Sequence, residues 1–463
     1  MTTVGPGAAH EGTRSPTEPT RSPAYVDDRR HVFHSWSAQA ALDPVVVAGG
    51  DGARFWDDAG RRYLDFSSQL IFLNLGHQHP RMVEAITEQV AVLATVAPTY
   101  ANAARSEAAR LIAERAPGDL DRVFFTSGGT EANEHAVRLA RLHTGRHKVL
   151  TMYRSYHGAT SGSIVATGDP RRWPSEPGPG GYVKFLGPYP YRSSFWSTSE
   201  DEECERALAH LDQVLMFEGP ANVAAVMLEP VVGTNGVLVP PDGYLAGVRE
   251  RCDRHGIVMI ADEVMSGFGR CGEWFAVDRW GVVPDLVTFA KGVNSGYVPL
   301  GGVAISPDIA ATFADRPYPG GLTYSGHPLA CAAAVASIGI FEDEGILARA
   351  RHLGEKVIGP RLSALAEHHP SVGDVRGLGC FWAVELVKDR ASREMLVPFN
   401  ATGADARPMA ELLAACKSRG VVPFTHFNRL HVCPPLVISD EDAHAGLDAI
   451  DEALTIADRW ATA

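Results

Sequence analysis

Ile257-Val258-Met259-Ile260-Ala261-Asp262-Glu263 is a short apolar run that stops on two acids. A run this short suits a strand buried on both faces, as in a parallel sheet covered by helices. Working outward, similar runs recur at Val123-Phe124-Phe125, Val149-Leu150-Thr151-Met152, Ala224-Ala225-Val226-Met227-Leu228, Leu286-Val287-Thr288-Phe289 and Gly302-Val303-Ala304-Ile305. Stretches of helical periodicity, such as 131–143 and 244–255, lie between them. This alternation predicts an α/β fold with a mostly parallel sheet. Upstream, residues 27–42 read as a helix, and β-type runs within 53–66 are split by the hairpin-like turn Asp58-Ala59-Gly60. Downstream, a long helix should follow Ala330, and strands near 381–386 and 430–432 belong to a smaller α+β domain. The expected division is a disordered tail at 1–23, an N-terminal segment of the small domain at 24–85, a large domain at 86–334 and the rest of the small domain at 335–463.

A chain of 463 residues exceeds the usual limit for one hydrophobic core, which supports two domains. The formal charge of -13 is spread without a long run of one sign, and no basic stripe marks a nucleic-acid partner. The seven cysteines form no CxxC pair, which argues against a zinc site or a disulfide framework; no metal is expected. No apolar stretch is long enough to span a membrane, and the N-terminus lacks the apolar core of a signal peptide, so a cytoplasmic location is expected.

In open parallel sheets, ligands bind beyond the carboxyl ends of the strands. There the sequence offers Thr126-Ser127-Gly128-Gly129-Thr130 at a helix entry, then Tyr156-His157-Gly158, Glu229-Pro230, Asp262-Glu263 and Lys291-Gly292. A glycine-rich helix entry supplies N–H groups suited to a phosphate, although a plain turn reads the same way. It has neither the GxGxxG spacing of a dinucleotide site nor the GK[ST] ending of a P-loop. A buried carboxylate at Asp262 needs a partner, and a helix cap or an ion pair would satisfy it. A desolvated Lys291 can act as a nucleophilic amine, although a surface lysine fits the same sequence. Together the three match the needs of pyridoxal 5'-phosphate: an amine for its aldehyde, an acid for its ring nitrogen and a cradle for its phosphate.

On these residues the chain resembles the class III aminotransferases of fold type I. The stretches that carry the likeness are 124–133 (FFTSGGTEAN), Tyr156-His157-Gly158, Glu229-Pro230-Val231, 260–270 (IADEVMSGFGR), 288–292 (TFAKG) and 321–328 (GLTYSGHP). The resemblance implies a homodimer, or a higher assembly, whose active sites are shared between subunits. It implies that Gly128, Gly129 and Thr130 hold the phosphate, and that Tyr156 and Val264 flank the ring. It also implies that Asp262 meets the ring nitrogen with support from Glu229, that Lys291 carries the cofactor, and that Thr323 reaches the neighbouring subunit's phosphate. Leu70 and Ile71 correspond to pocket-wall positions, where core packing is an equally good account.

The implied reaction is ping-pong transamination between a small-molecule amine and a keto acid. Ornithine-, acetylornithine- and 4-aminobutyrate-type relatives carry an arginine three residues before the first proline of PPL; here that residue is His431. Their glutamate partner for that arginine is Thr234 here, and a characteristic glutamine is Met265. Arginine and glutamate are absent together, as expected when removing one alone would strand a buried charge. The pattern is closer to pyruvate-using ω-aminotransferases, yet Phe424 stands where those enzymes commonly place a mobile arginine. Arg429 is the first candidate for the substrate carboxylate and Arg192 the second; a surface ion pair is the plainer account of each. The expectation is therefore pyruvate in preference to 2-oxoglutarate. A racemase or aminomutase of the same fold shares the Lys291–Asp262 pair and stays open, whereas a cofactor-binding regulator lacks a DNA-binding module.

Overall fold

In the computed structural model, which describes residues 21–462, the opening run is the strand Val258–Asp262 at the centre of a seven-stranded sheet. The order across the sheet is Arg122–Thr126, Gly301–Ile305, Leu286–Phe289, Val258–Asp262, Val223–Leu228, Lys148–Met152 and Tyr182–Phe185. The last five are parallel. Gly301–Ile305 runs antiparallel to both neighbours, although its sequence looks like the others. Alternate residues of the central strands enter separate cores. Val226 and Leu228 pack on one face with Met259, while Ala225 and Met227 pack on the other with Ile260 and the helix Gly129–Thr144. Burial on both faces explains why these strands read as unbroken apolar runs.

The strand Tyr182–Phe185 was not expected. It lies at the sheet edge, is only partly buried and carries Lys184, so its sequence has no apolar run. Edge strands are often charged, which limits pairing with other chains.

A second sheet contains, in order, Arg62–Phe66, Val421–His426, Arg429–Val432, Phe381–Asp389 and Val372–Leu378. Its core joins Leu64, Leu75 and Met82 to Phe341, Leu362 and Leu447. The long helix expected after Ala330 is Pro328–Asp343, and the last helix is Asp440–Asp458.

The chain divides into a smaller unit, up to Gly49 together with Trp56–Arg61, and a larger one of Gly50–Phe55 and everything from Arg62 onward. In the smaller unit the helix expected at 27–42 is displaced. It spans Pro23–His31, where Ser22 caps the first turn and proline begins it. Val32 is already extended, and Trp36 has a φ of 54°, which no helix accommodates. The turn at Asp58-Ala59-Gly60 is present, with Gly60 N–H donating to Asp57 O at 2.9 Å and a φ of 80°. Most of the expected tail, residues 1–20, lies outside the described residues.

Candidate active site

The parallel strands place Asp262, Glu229 and Lys291 at one edge of the sheet, because each follows or ends a strand pointing the same way. Asp262 is 3% exposed. Its Oδ2 accepts from Asn133 Nδ2 at 2.8 Å and lies 2.7 Å from His157 Nδ1. Its Oδ1 accepts from the Val264 N–H at 3.1 Å. Asn133 is itself oriented, since Thr288 Oγ1 donates to its Oδ1 at 2.7 Å and its Nδ2 also donates to the His157 carbonyl at 2.7 Å. A buried carboxylate held from several sides keeps one orientation, which a partner for a ring nitrogen requires. His157 and Asn133 were quoted in the sequence motifs but given no role. The available signal was position: Asn133 lies one helical turn past Gly129, and His157 adjoins Tyr156.

Glu229 bridges two loops, accepting from the Tyr156 N–H and the Gly233 N–H, each at 2.8 Å. Burial raises its carboxyl, and the charge of nearby Asp262 adds to that. Glu263, the second acid of the opening run, faces elsewhere. It accepts from the Val277 N–H at 2.9 Å and from Ser266, and burial raises it to about 7.

Lys291 opens a short 3-10 turn with a φ of 46°. A lysine in the left-handed region is strained backbone of the kind found at functional sites. Burial lowers its ammonium to about 8. Asp262 and Glu229 oppose that shift, while the charges of Arg171 and Arg270 add to it. The amine is thus more readily deprotonated than an ordinary lysine, as a nucleophile needs.

Gly128 is extended and caps the helix Gly129–Thr144 without a side-chain hydrogen bond, so the first-turn N–H groups face outward from the helix start. Gly129 is tightly enclosed: a Cβ there would lie 2.7 Å from Val264 Cγ1. Thr130 packs against Gly158, where a Cβ would meet its Oγ1 at 2.5 Å. The residues from Gly128 to Thr130, Val264 and Tyr156 therefore surround the same space as Asp262 and Lys291. Thr323 does not join them; it is exposed, in a turn ahead of Pro328–Asp343.

The substrate candidates are placed less directly. Ile71 is buried against Val231, Phe381 and Cys433, with Met265 and Phe424 alongside, whereas Leu70 is 47% exposed. Arg429 is wholly buried beside Glu385, its Nε 3.6 Å from Oε2, on the facing position of the next strand. Arg192 also pairs with Glu385. Neither has a hydrogen bond or ion pair to Lys291, Asp262 or Tyr156 among the described residues. His431 is buried with Nε2 3.3 Å from the Gly233 carbonyl, and burial drives its imidazole down to about 3, so it is neutral.

A family model described as "Aminotransferase class-III" matches residues 36–454. The hypotaurine/taurine–pyruvate aminotransferase of Paracoccus denitrificans is 34% identical over 92% of this chain and 96% of its own length. Among solved structures, the taurine:2-oxoglutarate aminotransferase of Bifidobacterium kashiwanohense, in complex with PLP and glutamate, is 40% identical with a TM-score of 0.90, covering 94% of this chain and 98% of that one. An (S)-enantioselective ω-transaminase from Thermomicrobium roseum is 36% identical with a TM-score of 0.88, covering 95% and 100%.

Proposed function

This chain belongs to the class III aminotransferases, pyridoxal-phosphate enzymes, and from that premise we propose that it moves an amino group from an amine or an ω- or α-amino acid to pyruvate in preference to 2-oxoglutarate.

The residues at the strand ends fit the cofactor. A buried amine, a carboxylate fixed by Asn133 and His157, and an uncapped helix start with no room for a side chain at Gly129 answer its aldehyde, ring nitrogen and phosphate. Pyridoxal phosphate supplies an aldehyde for amines and a ring that accepts the electron pair left when a proton departs. The protein does the rest. Lys291 carries the cofactor and, once displaced by the donor, takes the proton from the donor's amine-bearing carbon and delivers it across the same site. Asp262, held by His157 and Asn133, keeps its negative charge facing the ring nitrogen. The N–H groups at Gly129 and Thr130 hold the phosphate, and Tyr156 and Val264 confine the ring between them. Thr323, exposed on its own chain, is assigned to the phosphate of a second subunit in a homodimer.

The acceptor preference rests on His431. A neutral, buried imidazole hydrogen-bonded to Gly233 cannot replace a guanidinium fork, and Thr234 offers it no charged partner. The similarity to the taurine–pyruvate enzyme supports this reading. The 2-oxoglutarate-using relative, 40% identical, favours the second one, in which another cation holds the distal carboxylate. The test is to load the enzyme with amino groups from a donor, remove the donor, and measure discharge by each keto acid at equal concentration. Pyruvate should win by roughly 10- to 100-fold, the value of a lost charged hydrogen bond. Faster discharge by 2-oxoglutarate overturns the preference and leaves the transaminase assignment standing.

A further inference from the structure

Tyr156 carries a guanidinium on its own ring: the Arg171 Cζ lies 3.8 Å from the ring centroid. Such contact holds the charge in a fixed plane over one face of the tyrosine. The Arg171 Nε donates to Asp169 Oδ1 at 2.8 Å, and the Arg171 backbone N–H donates to the same oxygen at 2.9 Å. The other oxygen, Oδ2, accepts from Asn235 Nδ2 at 2.9 Å and lies 3.0 Å from His426 Nε2. Asp169 is 1% exposed. Burial works against its charge, but contacts from His426 and Arg171 outweigh burial and hold the carboxyl below its ordinary range. The anchor therefore stays ionised and its geometry is fixed by four donors.

The arginine it holds is not fully used. The Nη2 of Arg171 is buried and has no partner among the described residues. A desolvated N–H group without an acceptor is costly, and an arriving anion removes that cost. Arg171 is also electrically close to the reacting amine, because its charge adds to the lowering of the Lys291 ammonium that burial begins. Arg429 and Arg192, by contrast, are already committed to Glu385.

We propose that Arg171 is a specificity-determining residue that binds the distal acid group, sulfonate or carboxylate, of the amine donor, and that Asp169 is the positioning residue that aims it. The inference rests on the transaminase reading. The donor's amine sits at Lys291 while its far end meets the guanidinium beside Tyr156, so a short ω-amino acid spans the two. A planar fork accepts either oxyanion in two-point fashion.

The test compares kcat/KM for 2-aminoethanesulfonate and 3-aminopropanoate with that for propylamine, a neutral donor of similar size. The holoenzyme should favour the acidic donors. Arg171→Gln should lower the acidic-to-neutral ratio roughly 10- to 100-fold, mainly through KM, and Arg171→Lys should recover part of the loss. Asp169→Asn should lower the ratio in the same direction, whereas a merely structural anchor would depress all three donors alike. A difference between the sulfonate and carboxylate arms identifies which acid the seat fits. A ratio preserved within about twofold in Arg171→Gln overturns the proposal, as does a wild-type enzyme that uses propylamine and neither acidic donor; that last result leaves the transaminase reading intact. If no amine among the three reacts, both fall.

Discussion

Lys291→Ala should abolish transamination, with a loss of at least roughly 10²- to 10⁴-fold, the range for removing a positioned proton-transfer group. It should also eliminate the borohydride-reducible link between protein and cofactor. No other lysine can substitute, because none other stands at the carboxyl end of the sheet beside Asp262. The same burial fixes a pH signature. Because the ammonium is lowered to about 8, the neutral amine predominates above that pH and is lost as the pH falls below it. Uptake of pyridoxal phosphate by the cofactor-free wild type should therefore rise through about pH 8 and level off, well before the ordinary lysine range. A reduced cofactor–peptide adduct recovered at another lysine contradicts the assignment.

Asp262→Asn should slow removal of the amino group from the donor by at least about 10-fold and up to more than 100-fold. It exchanges a charge-assisted hydrogen bond of about 1.5–3 kcal/mol for a neutral one, at about 1.4 kcal/mol per decade of rate. The neighbours make the result specific. Asn133 and His157 converge on Oδ2, so an asparagine there can keep only part of that network, and the negative charge facing the ring nitrogen disappears. The rate must be measured in a mutant saturated with cofactor, which separates chemistry from retention. An unchanged rate in that form would show that Asp262 only holds His157 and Asn133 in place.

The sequence revealed most where local chemistry was unambiguous. Strands buried on both faces announce themselves as apolar runs, and the acids and lysine that end them stand out because charges seldom follow such runs unpartnered. The edge strand Tyr182–Phe185 escaped because a half-buried strand with a lysine has no such run. The direction of Gly301–Ile305 escaped because apolar composition carries no information on strand polarity. The helix Pro23–His31 was misplaced because it buries no residue, so no amphipathic stripe marks its ends; the Ser22–Pro23 start was the better signal. In the site, Arg171 went unnoticed because its importance comes from Asp169, Asn235 and His426, which only the fold brings together. Arg429 drew attention through proximity in sequence to the PPL motif, yet cross-strand pairing places it opposite Glu385.

Single turnover is the most direct test of the central claim, that this enzyme transfers an amino group and does not merely rearrange one. Holoenzyme is mixed with a reactive donor in the absence of any keto acid, and the carbonyl product is counted per chain. Transamination predicts one equivalent of carbonyl product, one amino group retained per chain, and no further turnover until a keto acid is added. Continued conversion of the donor into an isomer without a keto acid, and with no carbonyl product released, would contradict it and point to the racemase or aminomutase that shares Lys291 and Asp262.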